Sequence, residues 1–202
     1  DEENGTEALS GGVITGGTGY PIYFSYGSGG YYNYYGGAVY ITNGQLTMTG
    51  GSIVGCSASN GGGVCMDPPN GQTSQFTMTG GSIAGCVVSD SGGGVYARAM
   101  GAVFDMSGPA VIHDCRCSES GGGVRAYGTF RMLGQAVIRG CTAESATQKV
   151  YGGGVYVASS SGFEMSDQAK IEDCQAISTS SSYASLGGGV YITNNTSLTL
   201  SG

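Results

Sequence analysis

Three phrases recur in fixed order along the chain, each phrase has an apolar period of two, and equivalent positions of successive copies carry complementary side chains. Together these predict an all-β solenoid: a right-handed parallel β-helix of about six or seven coils, from about residue 8 to residue 202. The first phrase is a glycine triplet followed by valine: Gly61-Gly62-Gly63-Val64, Gly92-Gly93-Gly94-Val95, Gly121-Gly122-Gly123-Val124, Gly152-Gly153-Gly154-Val155 and Gly187-Gly188-Gly189-Val190. Gly36-Gly37-Ala38-Val39 is an earlier copy, and the valines lie 25, 31, 29, 31 and 35 residues apart. The second phrase reads Leu46-Thr47-Met48, Phe76-Thr77-Met78, Phe104-Asp105-Met106, Phe130-Arg131-Met132, Phe163-Glu164-Met165 and Leu198-Thr199-Leu200. The third closes each full copy with Ile and Cys: Ile53 and Cys56, Ile83 and Cys86, Ile112 and Cys115, Ile138 and Cys141, Ile171 and Cys174.

Within a phrase, apolar residues fall at i and i+2, which is strand alternation, and no stretch carries a sustained 3.6-residue stripe. Each copy therefore reads as three short strands separated by Gly or Ser turns, with helices nearly absent. One coil cannot bury its inward side chains alone; stacked copies share a core, and parallel crossovers default to the right hand. Val39, Val64, Val95, Val124, Val155 and Val190 are expected inside with the Phe-x-Met pairs. Stacking sets equivalent residues about 4.8 Å apart. Asp105, Arg131 and Glu164 then alternate in sign, Arg125 lies between Tyr96 and Tyr156, and His113, Arg139 and Glu172 form a third run. This economy answers a composition poor in Leu, Ile, Val and Phe. The 41 glycines serve turns, and a net charge of −7 is too small to hold the chain open.

Residues 1–35 read as a degenerate coil (Leu9 to Ile14) with a tyrosine-rich insertion or cap, and residues 36–202 as one continuous repeat domain. Seven of the 14 tyrosines fall between Tyr20 and Tyr35. Exposed tyrosines stack on sugars and make adaptable protein contacts, so Tyr31, Tyr32, Tyr34 and Tyr35 are the candidate ligand-binding residues; the competing reading is a packed cap on the solenoid end. Ser178 to Leu186 reads as a mobile loop, and Asn194-Asn195-Thr196-Ser197 holds overlapping glycosylation sequons. The last copy stops before its Ile and Cys phrase, which predicts a piece of a longer protein.

The glycine-triplet, Phe-x-Met and Ile-x-Gly phrases resemble the adhesin-like β-helix repeats of gut bacterial surface proteins and, more distantly, the chlamydial polymorphic outer membrane proteins. Gly36-Gly37-Ala38-Val39 matches the Gly-Gly-Ala-(Ile/Leu/Val) signature of the latter; the other copies have Gly for Ala, and the companion Phe-x-x-Asn signature is missing. The resemblance covers roughly residues 36–202. It implies a secreted or surface-displayed bacterial protein, with a glycan or surface protein as partner.

Seven cysteines suggest a disulfide framework, but Cys56, Cys86, Cys115, Cys141 and Cys174 share one repeat position. Their nearly parallel Cβ vectors suit packing as free thiols better than a disulfide torsion. Cys117 is expected in the core and Cys65, in place of a ladder tyrosine, on the outside. His113, Cys115 and Cys117 could offer metal ligands on one strand face, although the turn at Asp114 argues against it, and no metal or cofactor is expected. A catalytic reading would use Asp114, Arg139, Glu172 and Asp173 with His113 alongside, two coils deep, as in a polysaccharide lyase or glycoside hydrolase. No nucleophile–base pair is evident, no calcium nonapeptide follows the triplets, and no helix follows them to cradle phosphate. The charge balance gives no footprint for nucleic acid, and no apolar run is long enough for a transmembrane helix. The expected function is a non-catalytic extracellular surface module presenting loops to a glycan or protein, with a polysaccharide-active enzyme as the alternative.

Overall fold

A computed structural model describes residues 5–26, 29–158, 162–193 and 196–202, and among these every regular element is a strand. The strands stack in parallel into long sheets that run the length of the molecule. The valine sheet holds six strands, from Val39–Ile41 to Val190–Ile192, and the phenylalanine sheet seven, from Gly5–Leu9 to Ser197–Ser201. The isoleucine sheet holds six, from Val13–Thr15 to Lys170–Glu172.

Register follows the repeat. Phe76 pairs with Phe104, Phe104 with Phe130 and Phe130 with Phe163. Their rings stack with centroids 4.8, 5.0 and 4.9 Å apart and planes within 10° of parallel. Met48, Met78, Met106 and Met132, Ile53, Ile83, Ile112 and Ile138, and the central valines complete one buried core; Val39 and Val190 pack on it partly exposed. Leu9 and Ile14 pack against the same core, so the degenerate first coil is continuous with the repeats.

A fourth sheet corrects the expectation of three strands per coil. After each cysteine the chain forms a further strand, Ser57–Asn60, Val87–Ser91, Arg116–Cys117, Thr142–Ser145 and Gln175–Ser178. These segments are short and Ser-rich, with a single apolar residue in most, so no run of period two marks them. Val88, Cys117 and Ala143 pack there with Val150 in a small cluster of their own, which is where Cys117 is buried, apart from the main core. The Ser178 to Leu186 segment also differs from a free loop: Ser185–Leu186 pairs in parallel with Val150–Tyr151, and Ser185 Oγ accepts from the Ser178 amide at 2.6 Å.

Each glycine of a triplet has its own physical reason, seen at Gly121, Gly122 and Gly123. Gly121 turns the chain with φ 67°, where side chains are disfavoured. A Cβ on Gly122 would lie 2.3 Å from the Gly153 carbonyl oxygen of the next coil, and one on Gly123 would lie 2.8 Å from Ile138 Cγ2 and 3.3 Å from Cys141 Sγ. The thiol column therefore packs against the third glycines. All seven cysteines are free, and the column thiols donate to backbone carbonyls, as Cys115 does to His113 at 3.4 Å.

Candidate functional site

The tyrosine-rich segment leaves the parallel pattern. Tyr20–Tyr26 and Gly29–Tyr35 form an antiparallel ribbon with Tyr20 opposite Tyr35, Tyr23 opposite Tyr32 and Phe24 opposite Tyr31. Aromatic residues favour a pleated strand, which suits segments this rich in tyrosine. The ribbon joins the serine-rich sheet through Tyr35 opposite Asn60, and the Tyr34 amide donates to Ser59 Oγ at 3.0 Å.

Its root is fastened to the outer face of the valine sheet. Tyr35 is 4% exposed and clusters with Cys65 and Tyr96, with Ile22, Tyr40 and Tyr127 around them. Cys65 does sit on the outward ladder, between Tyr40 and Tyr96, yet it is fully buried because this tyrosine layer covers it. The Arg98 guanidinium lies 5.0 Å from the Tyr35 ring centroid and donates to Asp67, which also accepts from the Tyr40 hydroxyl at 3.0 Å. Burial, then the Asp67 charge, raises the Tyr40 phenol well above its ordinary range, and burial likewise raises Tyr35. Tyr20 stacks on Tyr40 at 5.6 Å.

The four candidate tyrosines thus divide. Tyr32 is 59% exposed and Tyr34 43%, while Tyr35 is an anchor whose ring is committed to packing. Tyr31 is described by its backbone alone, as the partner of Phe24. Tyr20 joins the exposed set, at 59%. Beneath Tyr34, a hollow of about 330 Å³ opens between Thr18, Ser57, Ala58, Ser59 and Ser89. Small hydroxyls beside an exposed ring suit a sugar, which offers hydroxyls at its edge and C–H groups on its face.

Further along, Arg125 sits between tyrosines as its ladder position predicts, its Cζ 5.4, 5.1 and 5.2 Å from the centroids of Tyr96, Tyr127 and Tyr156. It donates to Ser91 Oγ and to the Tyr127 hydroxyl, and Glu119 lies 3.7 Å away. Glu119 is pushed up to about 7, chiefly by the hydrogen bond it shares with Asp90 and then by burial, against the pull of Arg125. Sequence reasoning missed Asp67, Arg98 and Glu119, because they lie in corner segments whose length varies from copy to copy, and Asp90, because it lies in the fourth-sheet strand Val87–Ser91, which carries no repeat phrase.

The other sequence candidates do not converge. Asp114 and Asp173 both adopt left-handed backbone, φ 56° and 55°, at the turn that Gly55, Gly85 and Gly140 occupy in other coils. Gly140 separates them by one coil, Asp114 Oδ2 lies 2.8 Å from His113 Nδ1, and Arg139 pairs in register with His113 and Glu172. His113 faces outward, Cys115 points into the core and Cys117 into the small cluster, so the turn at Asp114 separates the three. No group of three metal-ligating side chains converges among the described residues. The sequons at Asn194 and Asn195 fall outside the described residues.

A family model described as a right handed beta helix region matches residues 24–202. No curated protein and no solved structure matches the chain.

Proposed function

Because this chain belongs to the right-handed β-helix family, we propose that it is a non-catalytic, extracellular, surface-displayed module of the adhesin-like kind, whose tyrosine ribbon contacts a glycan. The observation that carries the reading is the ribbon itself, which departs from the coil, is anchored by Tyr35, and leaves Tyr20, Tyr32 and Tyr34 exposed, with Tyr34 against a hydroxyl-lined hollow. The likeness of the repeat phrases to bacterial surface proteins supports the location. A glycan-array comparison of the wild type with Tyr32→Ala/Tyr34→Ala tests it, with Tyr35 left intact because it holds the ribbon. A saturable signal lost in the variant is the expected result; a signal indifferent to both substitutions removes the ribbon from the function.

One observation favours a second reading, a polysaccharide-active enzyme. Glu119, held near half protonation at neutral pH beside Asp90, is in the state a general acid requires. Polysaccharide cleavage abolished by Glu119→Gln would select that reading, and cleavage abolished by Asp173→Asn would move the chemistry to the turn column.

A further inference from the structure

Asparagine is followed by glycine at Asn4, Asn43, Asn60 and Asn70. Such a step is chemically weak, because asparagine is a thermolabile amide and a following glycine has no Cβ to shield its nitrogen. Asn4 lies outside the described residues, and the fold treats the other three differently. Asn60 is 3% exposed and pairs in register with Ser91 on one side and Tyr35 on the other, while the Gly61 amide donates to the Ser91 carbonyl at 3.1 Å. Asn43 is half-buried, and Gly44 opens a strand opposite Gly5. Asn70 and Gly71 are both exposed, at the tip of a turn that the Gln72 amide closes by donating to the Pro69 carbonyl at 2.9 Å. This corner takes residues 67–73, where the next two coils turn in 98–101 and 127–128, so the tip is an insertion into the repeat. Among the described residues neither the Asn70 side chain nor the Gly71 amide has a hydrogen-bond partner. Nothing lies within 4 Å of the place a Gly71 Cβ would take, so the approach to its nitrogen is open.

We propose that Asn70 is a modification site, at which the native protein deamidates spontaneously while the Asn60 step is protected. The Gly71 nitrogen, made nucleophilic by loss of its proton to hydroxide, attacks the side-chain carbonyl carbon of Asn70. A carbon–nitrogen bond forms, the bond to the side-chain nitrogen breaks, and that nitrogen leaves as ammonia with a proton from water. The resulting succinimide is opened by a second water at either carbonyl. One opening gives aspartate and the other isoaspartate, in which the main chain runs through the former side chain. Both products carry a new carboxylate. It stands on the wall of a hollow of about 450 Å³ that Arg98 and Tyr127 also line, and Arg98 is the one cation there among the described residues.

The test ages the whole folded protein at mildly alkaline pH in water enriched in heavy oxygen, then cleaves it before aspartate. The peptide from Asp67 to Ser89 holds Asn70 as its sole asparagine, and the preceding peptides report Asn43 and Asn60. Asn70 is expected to exchange its amide for a heavy-oxygen acid, with Asn60 slower by about tenfold or more because its strand must first open. In urea-unfolded chain the three steps should convert alike. An Asn70 that stays intact in folded protein while the unfolded chain converts overturns the proposal, and so does an Asn60 that keeps pace with it in the folded state. Asn70→Ser should abolish the acidic species on ion exchange with an unchanged melting transition; the same species arising in that variant would place the modification elsewhere.

Discussion

At Gly85 and Gly122 the same residue type has unrelated reasons to be there, and substitution separates them. Gly85 turns with φ 59° and has open space around its missing side chain, in the position where other coils place Asp114 and Asp173. Gly85→Asp is expected to cost no more than about 1 kcal/mol, because a short polar side chain tolerates left-handed backbone. Gly122→Ala drives a methyl into the carbonyl of the next coil and should cost at least about 1–3 kcal/mol. Urea midpoints of the two variants check the order. The thiols give a second prediction at this scale. Burial pushes the Cys117 thiol up to about 12 and raises Cys65 as well; the hydrogen bond with Cys141 and then burial raise Cys174 too, but it alone among the seven is partly exposed, so access sets the order of labelling. Alkylation of native protein without reductant, read by mass spectrometry, should label Cys174 first, with all seven labelled after denaturation. Intact disulfides in the denatured sample would contradict the free-thiol packing.

Among the ladders, two arginines that look alike in sequence differ in worth. Arg125 lies among three tyrosine rings with its side chain 11% exposed, whereas Arg131 pairs with Asp105 at 2.9 Å with its side chain 42% exposed. Arg125→Ala should cost at least about 2 kcal/mol, because a desolvated guanidinium is stacked and bonded there. Arg131→Ala should cost under about 1 kcal/mol, as exposed ion pairs do. Thermal melts of both variants decide it. The adjoining Asp90–Glu119 contact sets a pH dependence. Glu119 holds its proton to about 7 in the folded state, above the ordinary 4.5, so between those values the native protein binds more protons than the unfolded chain. Its contribution to stability is therefore greatest at acid pH and falls away as pH rises toward about 7. Glu119→Gln should flatten that decline in denaturation midpoints measured across the interval.

For the whole molecule, a solenoid is held together coil by coil, so protection should follow distance from the ends. Central strands such as Ala102–Met106 and Val111–His113 sit between two neighbours in every sheet, while Ser197–Ser201 has one and is exposed throughout. Hydrogen exchange should release the amides of Ser197–Ser201 and Val190–Ile192 long before those around Phe104 and Ile112. Uniform protection along the rod would mean that the coils unfold as one unit.

What the sequence determined by itself was the coil: the phrases fix which residues face inward, their register, and the partners of Arg125 and Phe104, because each of these is a relation between equivalent positions repeated one strand spacing apart. The fourth sheet escaped because a strand with one small apolar residue among serines has no period to read. Tertiary structure alone decided the site. Whether Tyr35 or Tyr34 is exposed, why an outward Cys65 is buried, and how Asp67 comes to join Arg98 and Tyr40 all depend on where a non-repeating ribbon and the variable corners fold over the rod. Such contacts join residues that occupy no common repeat position, and periodicity carries no information about them.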